Sequence, residues 1–167
     1  AMSDAVARGY ANGVPMGGEL AGRAGGTPQF LVWVLRDPRG SWLQRAQIVK
    51  GWIDEEGTHE QVFDIACSDG MTPDSTSHRC PENGATVDLS NCSTTLDRGA
   101  VELKAVWVDS TFDPTQRAFY YARALENPTC RWSTWDAIRA GDVPNPRVPA
   151  TIQERAWSSP NWYEPPA

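Results

Sequence analysis

The sequence predicts a mainly β fold: an antiparallel β-sandwich, Ig-like or jelly-roll-like, with long loops and one short helix. Its 167 residues suit one ordinary globular domain. The apolar segments are short, rich in β-branched and aromatic residues, and separated by turn signals, which is the pattern of antiparallel β proteins. The chain also holds 14 Gly and 13 Pro, an excess that is typical of long loops.

The chain is expected to divide into a lead-in segment, residues 1–28, and a β-sandwich domain, residues 29–167. The lead-in is rich in glycine and has little periodicity, so no more than one short strand is expected there. Ala1 before Met2 is interpreted as the remnant of a purification tag. Because no basic and apolar leader precedes the domain, we expect the chain to be a piece of a longer exported protein.

Strands are expected wherever short apolar or alternating segments lie between turns. The continuous apolar run at 29–35 is typical of a strand that is covered on both faces. Residues 44–53 and 60–67 are expected to pair as a hairpin around a turn rich in acidic residues. Further extended segments are expected at 85–89, 101–108, 116–125 and 151–157.

The segment 116–125 is the longest of these strand candidates. Its alternation places Tyr120 and Ala122 on one face and Phe119 and Tyr121 on the other. A helix is the main alternative there, because Ala, Arg and Leu favour helices. The aromatic centre of the segment favours a strand.

One short helix is expected at 134–140. Ser133 is the predicted N-cap, since its hydroxyl can accept a hydrogen bond from a free amide of the first turn. Gly141 is the predicted end of the helix. Trp135 and Ile138 would then pack inward.

The charge balance argues against nucleic acid and membranes as partners. The 15 basic and 21 acidic residues give a net charge of −6. A nucleic-acid groove needs a basic face that releases counterions from phosphates, and anionic lipid needs the same kind of surface. The longest apolar run falls far below the roughly 20 residues of a membrane helix.

The four cysteines are predicted to form two disulfides, Cys67–Cys80 and Cys92–Cys130. The first would close a polar loop of about 14 residues, worth roughly 3 kcal/mol in the chain-entropy model. A zinc site is the less favoured alternative, because no CxxC pair is present, and four free buried thiols are the other. Disulfides indicate an oxidising compartment, here a bacterial periplasm or the cell exterior.

Catalytic and metal-binding patterns are weak in this sequence. The two histidines, His59 and His78, lie in acidic or polar loops and not in a nucleophile-elbow motif, so no Ser–His–Asp triad is expected. Two carboxylates could support glycoside chemistry, but no spacing singles out a pair. A calcium site in one of the acidic turns is an open alternative that does not match the EF-hand pattern. No catalytic residue, metal ligand or cofactor is therefore assigned.

Aromatic residues near the carboxyl end form the remaining candidate site. Indole rings offer a large contact area, and arginine stacks well on them, so such clusters suit binding surfaces. The alternative is that these rings fill the core beneath proline-rich loops. The candidate interface or binding residues are Arg131, Trp132, Trp135, Gln153, Glu154, Arg155 and Trp157.

Five runs of sequence together form a recognisable pattern: GVPMGG at 13–18, QRAQIVKGW at 44–52, QRAFYY at 116–121, LENPTCRWST at 125–134 and TIQERAWSSP at 151–160. These runs resemble the C-terminal region of the bacterial domain-of-unknown-function family 3604. The match extends over nearly the whole chain, and the length of the runs makes it fairly specific.

The resemblance implies an exported parent protein several times longer than this chain. Its N-terminal part would resemble metal-dependent hydrolases of the polymerase-and-histidinol-phosphatase (PHP) superfamily. A divalent metal would then belong to that missing part. The present chain has no HxH or Asp-x-His motif, so no metal ligand or catalytic residue carries over from the resemblance.

The sequence therefore leaves two main alternatives for the function. The first is a non-catalytic C-terminal accessory domain that packs on, or shapes, the missing catalytic domain of an exported PHP-like metallohydrolase of unknown substrate. The second is a module that binds a glycan or another small ligand through exposed tryptophans. A small autonomous hydrolase is a weaker third alternative.

Overall fold

The computed structural model describes residues 2–20 and 26–166. Ala1, interpreted above as a tag remnant, lies outside the described residues. Two helices are described, α1 (Met2–Asn12) and α2 (Trp132–Ala140). The strands, in chain order, are β1 (Glu19–Leu20), β2 (Gln29–Leu35), β3 (Leu43–Asp54), β4 (Gly57–Cys67), β5 (Val87–Asp88), β6 (Ser93–Thr94), β7 (Glu102–Val108), β8 (Arg117–Glu126), β9 (Thr129–Cys130), β10 (Thr151–Ile152), β11 (Arg155–Trp157) and β12 (Asn161–Tyr163).

The main layer is a six-stranded sheet built on the long strands β3, β4 and β8. Its order is β1-β12-β8-β3-β4, and β11 pairs with β8 along the same edge as β12. All its pairs are antiparallel except β1–β12. The β3–β4 hairpin was predicted from the sequence, and the structure confirms it.

The second layer is the antiparallel pair β2–β7, which packs against one face of the main sheet. Alternation sends one set of side chains from each layer into the shared core. Val32 of β2 meets Ile48 of β3 and Tyr120 of β8, with Ala118 and Tyr163 beside them. The prediction of a mainly β, sandwich-like fold is confirmed.

The apolar strand β2 differs from its prediction. Only Phe30, Val32 and Val34 turn toward the core, while Leu31, Trp33 and their neighbour Leu35 face outward and are exposed. A continuous apolar run does not tell whether a further layer covers its second face. The expectation of a strand covered on both faces was therefore wrong for the described chain.

Both helices also depart from the sequence-based expectations. Helix α1 lies in the lead-in, where no helix was expected; its alanines and Arg8 favour helix despite the nearby glycines. Helix α2 begins before the predicted first residue, with Arg131 as N-cap and no side-chain capping bond. Ser133 is inside the helix, and Gly141 ends it in the left-handed conformation, as predicted.

Two disulfides fasten the long polar segment between β4 and β7. Cys67 pairs with Cys80, and Cys92 pairs with Cys130. This is the pairing favoured from the sequence. Two disulfides indicate a secreted, non-cytoplasmic protein. Neither described helix has the length and apolar character needed to cross a lipid bilayer.

Candidate functional site

The outer face of the six-stranded sheet, opposite the core, carries a row of aromatic rings that we call the aromatic platform: Phe119, Tyr121, Trp157 and Trp162. Phe119 and Tyr121 alternate with the buried Tyr120 on β8 and therefore point away from the core. The sheet register sets Trp162 beside Phe119, and Trp157 beside Arg123. Trp157 is 59% exposed and Trp162 is 49% exposed.

The Phe119 ring of the platform lies over strand β3 because residue 51 has no side chain. A Cβ atom at Gly51 of β3 would collide with the Phe119 ring, so the glycine lets that ring lie on the backbone. The rings of Phe119 and Tyr121 are nearly parallel, 6° apart, with centroids separated by 6.3 Å. Trp162 extends the row, with its ring centroid 5.5 Å from that of Phe119.

An open groove of about 430 Å³ lies beyond Arg155; we call it the arginine groove. Arg131 holds one wall by donating a hydrogen bond from Nε to the Pro149 carbonyl at 3.2 Å. The Arg155 side chain is exposed and forms no hydrogen bond or ion pair with any residue that the structure describes. The lining residues are Gln44, Glu82, Ala85, Pro128, Arg131, Pro149, Thr151, Ile152, Gln153 and Arg155.

A network of amides forms the floor of the arginine groove. Gln153 donates to the side-chain oxygen of Gln44 at 2.9 Å and to the Glu126 carbonyl at 3.1 Å. Gln44 in turn donates to Asn83, and Asn83 donates to Asn127 at 2.8 Å. Within residues 2–20 and 26–166, no buried side-chain nitrogen or oxygen lacks a hydrogen-bond partner. The floor is therefore a fixed polar surface.

The structure brings together some of the candidate residues chosen from the sequence and separates others. Arg131, Gln153 and Arg155 line the arginine groove, and Trp157 belongs to the platform. The other three candidates do not line it: Trp132 is 73% exposed on α2, Trp135 is half-buried beneath the Arg139 guanidinium, and Glu154 is exposed.

Phe119, Tyr121 and Arg123 lie on the platform side of β8 but were not predicted as site residues from the sequence. The alternation of 116–125 did indicate that Phe119 and Tyr121 share one face of the strand. The sequence did not indicate which residues of β11 and β12 lie beside these rings, because both strands pair with β8 from a part of the chain some 30 residues later. The Arg123 guanidinium donates from Nε to Gln47 at 2.6 Å and lies at the Trp157 end of the platform.

A second polar cluster lies in the core, away from both surfaces. The Lys50 ammonium is 2.7 Å from the Asp109 carboxylate, and the two side chains are 4% and 1% exposed. Tyr120 donates its hydroxyl proton to the same carboxylate at 2.7 Å. Burial alone would raise the pKa of Asp109, but hydrogen bonds from Lys50, Tyr120 and Thr111 outweigh it and lower that pKa. Burial, together with Asp109, raises the pKa of Tyr120.

The two histidines and the acidic side chains are the remaining groups whose chemistry could serve catalysis. His59 Nε2 lies 2.8 Å from the Asp54 carboxylate and its ring stacks on Trp52, but neither His59 nor His78 bonds a Ser, Thr or Cys side chain among the described residues. The hydrogen bond with His59 lowers the pKa of Asp54. No group of three His, Cys, Asp or Glu side chains within 2–20 and 26–166 could hold a metal ion. These residues therefore do not fit the metal that the PHP resemblance implies.

The outward side of β2–β7 forms another surface, which we call the apolar face: Leu31, Trp33, Leu35, Val106 and Val108. These side chains are between 39% and 69% exposed. The two charged residues on the same side are paired with each other, since Lys104 forms an ion pair with Glu102. Glu102 also accepts a hydrogen bond from Trp33 Nε1 at 2.8 Å. Lys104 also lies 5.4 Å from the centroid of the Trp33 ring.

Comparison with known proteins identifies one family. The model of a protein family of unknown function, DUF3604, matches residues 1–165. No curated protein and no solved structure matches the chain. The match covers almost every residue of the fold described above, and the chain accordingly belongs to the DUF3604 family.

Proposed function

We propose that this domain is a non-catalytic accessory domain of an exported, PHP-like metallohydrolase, and that it packs on the catalytic domain through the apolar face. The observation that carries the proposal is the exposure of five large apolar side chains on one side of β2–β7. Contiguous apolar patches of about 300–600 Å² are at the upper limit for monomeric proteins and often mark interaction sites.

The composition of the apolar face favours a protein partner over a small ligand. Aliphatic Leu and Val side chains surround one tryptophan, and burying such a group from water is favourable at roughly 25 cal/mol per Å². The charges of Lys104 and Glu102 are already paired, which lowers the cost of removing them from water. A face of this kind resembles the core of a protein–protein interface, in which a central aromatic residue is surrounded by apolar contacts.

The docking proposal predicts an effect of Trp33→Glu. We expect this chain to form a one-to-one complex with a separately expressed PHP-like domain from a longer member of the family, measured by analytical ultracentrifugation. Trp33→Glu places a carboxylate at the centre of the face and should weaken the complex at least tenfold. Trp132→Glu is the matched control, because Trp132 is 73% exposed on α2, away from this face. Equal affinity of both variants, or no complex, contradicts the proposal.

The non-catalytic part of the proposal has a separate test. We expect this chain to show no saturable turnover of phosphate esters with Mn²⁺ or Zn²⁺, because the described residues provide no ligand cluster and no nucleophile paired with a histidine. The same assay on the PHP-like domain serves as the positive control. Saturable turnover by the isolated chain would overturn the accessory role and favour the autonomous hydrolase.

The aromatic platform favours a second candidate function, the recognition of a glycan. Flat, exposed aromatic rings can stack on the apolar faces of sugar rings. The platform faces away from β2–β7, so it would stay open when the apolar face is covered. Ligand recognition and domain docking can therefore coexist on the two sides of the sandwich.

A further inference from the structure

We infer that the aromatic platform and the arginine groove form one continuous binding track, and that its ligand is an acidic oligosaccharide whose sugar rings carry carboxylates. The inference deepens the second candidate function by assigning both a place and a ligand class. It does not depend on what packs against the apolar face. Its support is the arrangement of rings and guanidinium groups along one edge of β8.

The sheet register makes the track continuous. Trp162 lies beside Phe119, Trp157 beside Arg123, and Arg155 beside Leu125, in that order along β8. From position 119 to position 123 the strand rises about 13 Å, the span of a short oligosaccharide. Arg155 ends this row and is also a lining residue of the arginine groove, so the two surfaces meet at its side chain.

The aromatic half of the track is suited to sugar rings. Trp157 and Trp162 are 59% and 49% exposed, and Phe119 and Tyr121 lie between them along the sheet. Indole has few rotatable bonds, so holding it against a ligand costs little conformational entropy. An open row of rings without an enclosing pocket suits an extended chain of sugars better than a single small molecule.

The charged half of the track selects for an anion. Arg123, Arg131 and Arg155 lie along it, and the Arg155 guanidinium has no hydrogen-bond or ion-pair partner among the residues that the structure describes. Glu82 is the carboxylate of the groove, and it already pairs with Arg45 at 3.1 Å. A guanidinium binds a carboxylate through two parallel hydrogen bonds, which fixes orientation as well as charge.

The distribution of charge places the binding of the ligand's carboxylates at one end of the track. The chain as a whole carries a net charge of −6, so a general attraction of anions is not available. Glu19 lies across from Trp162 at the far end of the row. Arg117, also at that end, is paired with Glu164 at 2.8 Å, whereas Arg123, Arg131 and Arg155 lie at the other end. Specific pairing in the groove, combined with stacking on the platform, is therefore the expected mode of binding.

The test is a titration of tryptophan fluorescence with uronate oligosaccharides. Oligogalacturonate, oligomannuronate and chondroitin oligosaccharides are the acidic probes, and a carboxyl-reduced oligogalacturonate is the neutral counterpart with the same skeleton. We expect saturable binding of at least one acidic probe and at least tenfold weaker binding of the reduced one. Trp157→Ala should weaken acidic binding at least tenfold. Arg155→Ala should also weaken binding of the acidic probe at least tenfold, and it should reduce the difference in affinity between the acidic and the reduced probe.

Matched variants and competitors separate the possible outcomes. Trp132→Ala and Arg8→Ala remove an exposed tryptophan and an exposed arginine outside the track, and both should bind like the wild type. Binding of none of the acidic probes overturns the inference. Equal binding of the reduced probe overturns the acidic ligand class while glycan recognition stands. Equally strong binding of inorganic phosphate indicates a free-anion site and also overturns it. None of these results changes the effect expected of Trp33→Glu on domain docking.

Discussion

Replacing Asp109 with alanine is expected to lower the free energy of unfolding by about 3–5 kcal/mol. The substitution leaves the buried Lys50 ammonium without the carboxylate that lies 2.7 Å away. It also removes the acceptor for the Tyr120 hydroxyl, and buried polar groups without partners are costly. The measurement is urea unfolding, in which the midpoint should fall while the slope stays constant.

Two comparisons show whether burial of the charge is the cause. Glu102→Ala removes a half-exposed ion pair with Lys104 and should cost no more than about 1 kcal/mol. The double variant Lys50→Met with Asp109→Leu removes both buried charges and should be more stable than Asp109→Ala alone. A decrease in the free energy of unfolding below about 1 kcal/mol in Asp109→Ala would show that the buried ion pair is not the source of the stability. The same follows if the decrease in the double variant equals the sum of the decreases in its two single variants.

The stability contributed by Asp109 depends on pH with a definite sign. Its pKa in the folded state is lower than the ordinary value of 3.8, so the unfolded chain binds the proton more readily. The contribution is therefore complete above the unfolded pKa and is lost as the pH falls through the folded pKa. We expect the difference in unfolding free energy between wild type and Asp109→Ala to be largest near pH 7. It should narrow below pH 3.8.

The long strands of the main sheet, β3, β4 and β8, could be predicted because each carries its own signal, whereas the short strand β12 was not predicted. The segment at β8 alternates between a face that contains Tyr120 and one that contains Phe119, and burial of the first face alone is enough to orient the strand. The outer side of β2 could not be predicted in the same way. Its residues are apolar on both sides, so periodicity does not distinguish the core from an uncovered face such as that of Trp33.

The candidate site was only partly accessible from the sequence, for a related reason. Arg131, Gln153 and Arg155 come from neighbouring segments, and they were selected together because the segments are rich in Arg and Trp. The platform needs the register of three strands, and no local pattern fixes the pairing of Trp162 with Phe119. The alternation of β8 did predict which of its aromatic residues share a face. It did not predict what lies beside them.

Breaking the Cys92–Cys130 disulfide is expected to produce the other large loss of stability. The bond closes a loop with a sequence separation of 38, and in the chain-entropy model such a cross-link is worth about 4 kcal/mol. The Cys67–Cys80 bond spans 13 residues and should be worth about 3 kcal/mol. Urea unfolding of Cys92→Ser with Cys130→Ser, compared with Cys67→Ser with Cys80→Ser, measures the two losses separately.

The Cys92–Cys130 bond should also have a local effect that loop entropy alone does not give. The segment it holds contains only the short strands β5 and β6, so few backbone hydrogen bonds fix it without the cross-link. Glu82 and Ala85 of that segment form one wall of the arginine groove. Hydrogen exchange should therefore accelerate at 81–98 in the Cys92→Ser with Cys130→Ser variant, while the central strand β3 stays protected. Equal acceleration in β3 would mean that the bond supports the whole sandwich rather than the groove wall.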